Sequence, residues 1–92
     1  MKVFANGSFD RDIDKIRNKE LQHALDDKIL QLEKAKDVSQ VTGLKLLKGY
    51  THHFRIKIET TKHKYRIGVI IRGNKIWLIR FLPRKSVYRK FP

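Results

Sequence analysis

Two runs in the second half of this chain alternate apolar and polar side chains with a period of two, a spacing that suits a half-buried β-strand and little else, and a third run, apolar on both sides, follows them. From His53 to Glu59, Phe54, Ile56 and Ile58 alternate with Arg55, Lys57 and Glu59. From Tyr65 to Arg72, Tyr65, Ile67, Val69 and Ile71 oppose Arg66, Gly68, Ile70 and Arg72. Gly73-Asn74 is a two-residue link of the kind favoured in hairpins, so Lys75 to Leu82 returns antiparallel beside its predecessor. In that third run Trp77, Ile79 and Phe81 are assigned to the core face, Ile76, Leu78 and Arg80 to the other, and Pro83 ends the strand.

A sheet with one apolar face needs a cover, and the first half supplies it. Met1 to Ala5 reads as a short strand ended by the Asn6-Gly7 turn signal. Ser8 is the expected N-cap of a first helix in which Phe9, Ile13 and Ile16 recur at helical spacing, with Asp10, Asp12 and Asp14 suited to the positive end of its dipole. Asn18 is the expected cap of a second helix, whose apolar stripe is Leu21, Leu25, Ile29 and Leu32, with Lys28, Gln31 and Glu33 facing outward. From Asp37 to Gly49 the chain holds Val41, Leu44, Leu46 and Leu47 with two glycines, and no element is assigned there. Ninety-two residues have room for one layer of helix on one small sheet. The expectation is a single α+β domain over residues 1–92: an N-terminal strand, then a two-helix antiparallel pair packed on one face of a small antiparallel sheet, in the order β-α-α-β-β-β.

Charge narrows the function. There are 22 Lys and Arg against 9 Asp and Glu, a formal net charge of +13. Met1 to Thr42 carries 8 basic and 8 acidic residues, whereas Gly43 to Pro92 carries 14 basic residues and Glu59 alone. All of the excess therefore sits in the half that forms the strands, as expected of a face that binds a polyanion, with nucleic acid foremost and an anionic protein or acidic lipid next. The absence of cysteine excludes a disulfide framework and thiolate zinc sites and suits a reducing compartment. The opening residues are too polar for a signal peptide and no run approaches spanning length, so a cytoplasmic protein with no membrane partner is expected. His52, His53 and His63 fall at turns near the basic strands and are alternative acid–base groups; as strand neighbours His52 and His53 point opposite ways, which argues against a shared metal. Trp77 is assigned to the core rather than to base stacking.

The runs Leu47-Lys48-Gly49, Phe54-Arg55-Ile56-Lys57-Ile58, Lys64-Tyr65-Arg66-Ile67, Pro83-Arg84-Lys85 and Val87-Tyr88 resemble the C-terminal half of a RelE-type toxin of the RelE/ParE superfamily, and the strand–helix–helix–three-strand plan is similar over the whole chain. The resemblance implies the toxin of a toxin–antitoxin pair, an mRNA interferase that cuts messenger RNA on the ribosome without a metal or other cofactor and is held inactive by a cognate acidic antitoxin. Its catalytic group falls here on Arg55, Lys57, Arg66, Arg84 and Tyr88, with Arg55 standing where the family has a lysine. A guanidinium cannot act as a base, so Lys57 is the better candidate for activating the ribose 2′-hydroxyl. Arg66 is then expected to stabilise the phosphorane, Arg84 to serve the leaving oxygen and Tyr88 to hold a nucleotide, leaving a 2′,3′-cyclic phosphate. Arg80, Lys85, Lys64, Lys48 and Arg89 are the expected RNA and ribosome contacts. The alternative within the superfamily is a ParE-like toxin that inhibits DNA gyrase and cuts no RNA, and a further one is a non-catalytic RNA-binding module.

Overall fold

The computed structural model describes all residues from Met1 to Pro92 and shows the expected α+β architecture. Strand β1 (Lys2–Ala5) leads into helices α1 (Gly7–Asp14) and α2 (Lys19–Lys34). A short 3-10 turn at Val38–Gln40 precedes strands β2 (Leu44–Leu46), β3 (His53–Glu59), β4 (Lys64–Arg72) and β5 (Lys75–Pro83), and helix α3 (Arg84–Lys90) closes the chain. The five strands form one sheet in the order β1-β5-β4-β3-β2. Neighbours from β2 to β5 are antiparallel, whereas β1 joins β5 in parallel. Two elements were not legible beforehand: β2, too short to show a period, and α3, whose Arg84–Lys90 segment carries a single buried residue, Val87.

Beneath α1 and α2 lies the main core, in which Phe9, Leu21, Leu25 and Leu32 of the helices meet Ile56, Ile58, Ile67, Val69, Ile71, Ile76, Leu78 and Phe81 of the sheet. Full burial of a side chain of this size stabilises the fold by roughly 1.5–3 kcal/mol, so this layer carries most of the hydrophobic free energy. Asn18 caps α2, its Oδ1 accepting from Leu21 N at 2.8 Å. At the other end of α2 the Met1 ammonium donates to the carbonyls of Leu32, Glu33 and Ala35, placing a positive charge at the negative end of the helix dipole.

The apolar phase of β5 differs from the simple alternation. Gly68 pairs with Arg80 but Val69 pairs with Leu78, so Ile79 has no partner and forms a bulge. The extra residue shifts the period by one: Ile76, Leu78 and Phe81 enter the main core, while Trp77 and Ile79, expected there, turn to the opposite face. A run that is apolar on both sides gives no warning of such a slip.

The bulge also explains two misplaced polar residues on α1. Strand β1 stops at Ala5, opposite Leu78, and beyond it the edge of β5 is free. Helix α1 lies along that edge. Ser8 is not the N-cap; Asn6 holds that position, and the Ser8 hydroxyl donates to Ile79 O at 2.6 Å. Asp12, one turn further on, is 5% exposed rather than on the surface. Its carboxylate accepts from Phe81 N at 2.9 Å and from both Nε and Nη2 of Arg80, at 2.8 and 3.0 Å. Burial pushes the Asp12 carboxyl up, but the Arg80 and Phe81 hydrogen bonds, with the charges of Arg80 and Lys15, outweigh it and hold it below the ordinary value. Lys28, expected to face outward, is half-buried and donates to Gln31 and to both oxygens of Thr42, tying α2 to the segment before β2.

The second face of the sheet is not wholly open. Val87 and Phe91 pack with Leu47, Ile79 and Leu82 into a small second core, and the Phe91 ring lies over Gly68. A Cβ at Gly68 would stand 2.5 Å from that ring, so the close approach of α3 requires glycine there.

Candidate functional site

Opposite registry on β3 and β4 builds the floor of the site. Lys57 pairs with Arg66 and Arg55 with Gly68, so the three cations share the face that α1 and α2 leave free. Helix α3 supplies the wall. Arg84 and Tyr88 stand four residues apart on one side of it, while Val87 anchors the other side to the second core. Gly43, Lys45, Arg55, Lys57, Arg66, Arg84 and Tyr88 line one cavity of about 240 Å³. A larger hollow of about 400 Å³ beside α2, lined by Asp27, Leu30, Gln31, Lys34, Ala35 and Gln40, gathers no comparable set of cations.

Tyr88 is the centre of the wall. Its phenol accepts from Arg84 Nε at 3.0 Å, and the Arg55 guanidinium lies 4.2 Å from the ring centroid. A cation over an exposed ring is worth roughly 0.5–1 kcal/mol, enough to orient Arg55 without fixing it. The Arg84 hydrogen bond lowers the Tyr88 pKa from its usual 10.0, against a small rise from burial, and the charges of Arg84, Arg55 and Arg66 lower it further. Tyr88 itself is 49% exposed, so its ring remains open to a ligand.

Glu59 completes the floor. It sits 3.7 Å from Lys57 Nζ and 3.1 Å from Arg66 Nη1, the single carboxylate among the strand residues. Desolvation raises the Glu59 pKa, but the Arg66 hydrogen bond and the charges of Lys57, Arg66 and Lys64 hold it below the ordinary value. Lys57 thus faces a carboxylate as well as cations. The alternation of β3 places Glu59 on the face of Arg55 and Lys57, a position the sequence pattern alone specifies. Gly43 and Lys45 were missed for want of any signal. Gly43 adopts φ 75°, accepts from Lys57 N at 2.9 Å, and would bring a Cβ to 3.1 Å from Lys57 Cβ, so a larger residue there would disturb the lysine.

Arg80 does not join the other cations on the sheet, as expected from the alternation; the bulge and Asp12 draw it to the β5 edge against α1. Lys85 and Arg89 are exposed on α3, Lys64 opens β4 and Lys48 lies in the turn after β2, all outside the cavity lining. None of the three histidines lines it either. His52 Nδ1 is 3.1 Å from Ile71 O, His63 Nδ1 is 3.4 Å from Thr60 Oγ1, and His53 packs between Tyr50 and Phe91.

With this geometry in place, known proteins supply the family. Over 67 residues the chain is 36% identical to Toxin RelE3 of Methanocaldococcus jannaschii, an alignment that covers 68% of this chain and 72% of that one. The chain belongs to the RelE toxin family. Its fold is also that of a chain in the crystal structure of the RelB-RelE antitoxin-toxin complex from Methanococcus jannaschii, with a TM-score of 0.73 and 25% identity over 97% of this chain and 99% of that one. No protein-family profile matches. As a RelE-like toxin the chain keeps the strand, helix pair and antiparallel strands of its structural relative.

Proposed function

We propose that this RelE-family toxin is a metal-independent endoribonuclease that cuts messenger RNA on the ribosome. The observation that carries this reading is the convergence of Arg55, Lys57, Arg66, Arg84 and Tyr88 on one cavity. A pure docking surface has no use for a phenol hydrogen-bonded by one guanidinium and covered by another; a phosphoryl-transfer site has. In the reaction, Lys57 as the free amine takes the proton of the ribose 2′-hydroxyl while that oxygen attacks the adjacent phosphorus. The bond from phosphorus to the 5′-oxygen breaks, leaving a 2′,3′-cyclic phosphate and a 5′-hydroxyl. Arg66 and Arg55 meet the charge gathering on the non-bridging oxygens. The leaving oxygen takes its proton from the Tyr88 phenol, which Arg84 polarises, because a guanidinium is a poor donor.

An acidic, partly disordered antitoxin segment is the proposed partner, drawn to the cationic half of the chain and folding on it. Its affinity should fall with rising salt; an affinity independent of ionic strength would contradict an electrostatic wrap.

The test of the enzymatic reading is purified protein with translating ribosomes and a reporter message, with the cut ends mapped and their termini identified. Cleavage leaving 2′,3′-cyclic phosphate, lost in Lys57→Ala and Arg66→Ala, supports it. An intact message together with stalled gyrase cleavage complexes would replace it with the gyrase-inhibitor reading.

A further inference from the structure

At the far end of the free face, away from the basic cavity, the sheet carries a second chemistry. Cross-strand pairing aligns Phe4, Trp77, Ile70 and His53 in one row from β1 to β3. The Phe4 and Trp77 rings stack at 5.7 Å between centroids and 22° between planes. Phe4 is 43% exposed, on the edge strand. The next row of the same face is Lys2, Lys75 and Arg72, all exposed. Two residues of strand rise, about 6.7 Å, separate the rows, within one side chain's reach. No Asp or Glu occurs in β1, β4 or β5, and none of these three cations has an ion-pair partner. Beside the aromatic pair is a shallow cavity of about 280 Å³, lined by Asn6, Ile70, Arg72, Trp77 and Ile79.

We propose that this end of the sheet is a binding surface for single-stranded RNA, with the Phe4–Trp77 stack receiving an unpaired base and Lys2, Lys75 and Arg72 holding the flanking phosphates. A flat sheet presenting stacked aromatics beside cations, with carboxylates absent, is what sequence-tolerant base stacking requires. An aliphatic peptide groove would need neither the parallel rings nor the cationic row. Strand β4 links the two sites: Arg66 belongs to the basic cavity and Arg72, six residues on, to this surface, about 20 Å away along the strand. Phe91, over Gly68, stands between them. The surface is a binding site in its own right and does not depend on whether the basic cavity cuts RNA.

Trp77 is the chain's only tryptophan and reports on the surface directly. The experiment titrates the full chain with a short 2′-O-methyl oligouridylate, which attack by a 2′-hydroxyl cannot cleave, and follows Trp77 emission. Quenching on binding is expected. Phe4→Ala, at an exposed position, should weaken affinity about five- to 150-fold, the loss of one base stack. Arg72→Ala and Lys75→Ala should each make the salt dependence shallower by about 0.7 in the log–log slope. Lys57→Ala should leave the quenching in place, which separates this surface from the basic cavity. Binding with unchanged Trp77 emission overturns the proposal. So does polyglutamate that matches the oligouridylate in affinity and in Trp77 response, which would mark the surface as a site for acidic polypeptide.

Discussion

The face of the sheet under α1 and α2 and the face under α3 are built from the same strands and obey opposite rules. On the first, isoleucine, valine and phenylalanine side chains are sealed beneath helical leucines, and Asp12, buried where the β5 edge would otherwise be left with an unpaired N–H, is fully hydrogen-bonded. On the second, cations crowd together around Tyr88 with one carboxylate between two of them, and α3 touches the sheet through a small patch of Leu47, Val87 and Phe91. Stability is concentrated on the first face, and the second gathers Arg55, Lys57, Arg66 and Arg84 around one cavity. Such preorganised charge is what stabilises an anionic transition state, since no reorganisation is then needed during reaction.

The contrast can be broken most forcefully at Lys57. On the proposed mechanism, replacing it with alanine should lower cleavage about 10²- to 10⁴-fold, the range for losing a general base, while the melting temperature stays close to that of the parent. A comparable loss of stability would show that the two faces are not separable. Asp12→Ala is the converse experiment. It strands the Arg80 charge and the Phe81 N–H and should destabilise the fold by about 3 kcal/mol, at the lower end for a broken buried pair because Arg80 is partly solvated. Denaturant unfolding of both variants measures the difference.

Acid sharpens the same point. Because the folded Asp12 carboxyl lies below 3.8, its ordinary value, its contribution to stability is complete above that pH and is lost as pH falls through the lowered folded value. Asp12→Asn should flatten the acid limb of the stability profile; an unchanged limb would show that other carboxylates control acid unfolding.

Two smaller effects concern α3. Gly68→Ala drives a methyl against the Phe91 ring and should destabilise by about 1–3 kcal/mol, with cleavage impaired because Arg84 and Tyr88 ride on the displaced helix. Normal activity with lost stability would mean that α3 need not be seated for the site to work. Smallest is the titration of Tyr88, isolated by difference from Tyr88→Phe. Arg84→Ala removes the main cause of its lowered pKa, so its phenolate absorbance should appear at higher pH.

Much of this arrangement is written in local pattern. The period-two runs of β3 and β4 place Arg55, Lys57 and Arg66 on one face, and a strand needs no distant partner to alternate. The Asn18 cap and the Leu21–Leu25–Leu32 stripe are local in the same way. What only the tertiary structure decided are the features set by contacts across the chain. The β5 bulge exists because β4 and β5 settle out of step at Gly68 and Val69, and it moves Trp77 and Ile79 to the other face. Arg80 leaves the basic cluster because Asp12, 68 residues earlier, offers a better place for its charge. Helix α3 is held by Phe91 over a glycine in β4, and with it come Arg84 and Tyr88, the wall of the cavity. Periodicity encodes which face a residue takes within its own strand; only packing fixes how neighbouring strands register and which charges meet.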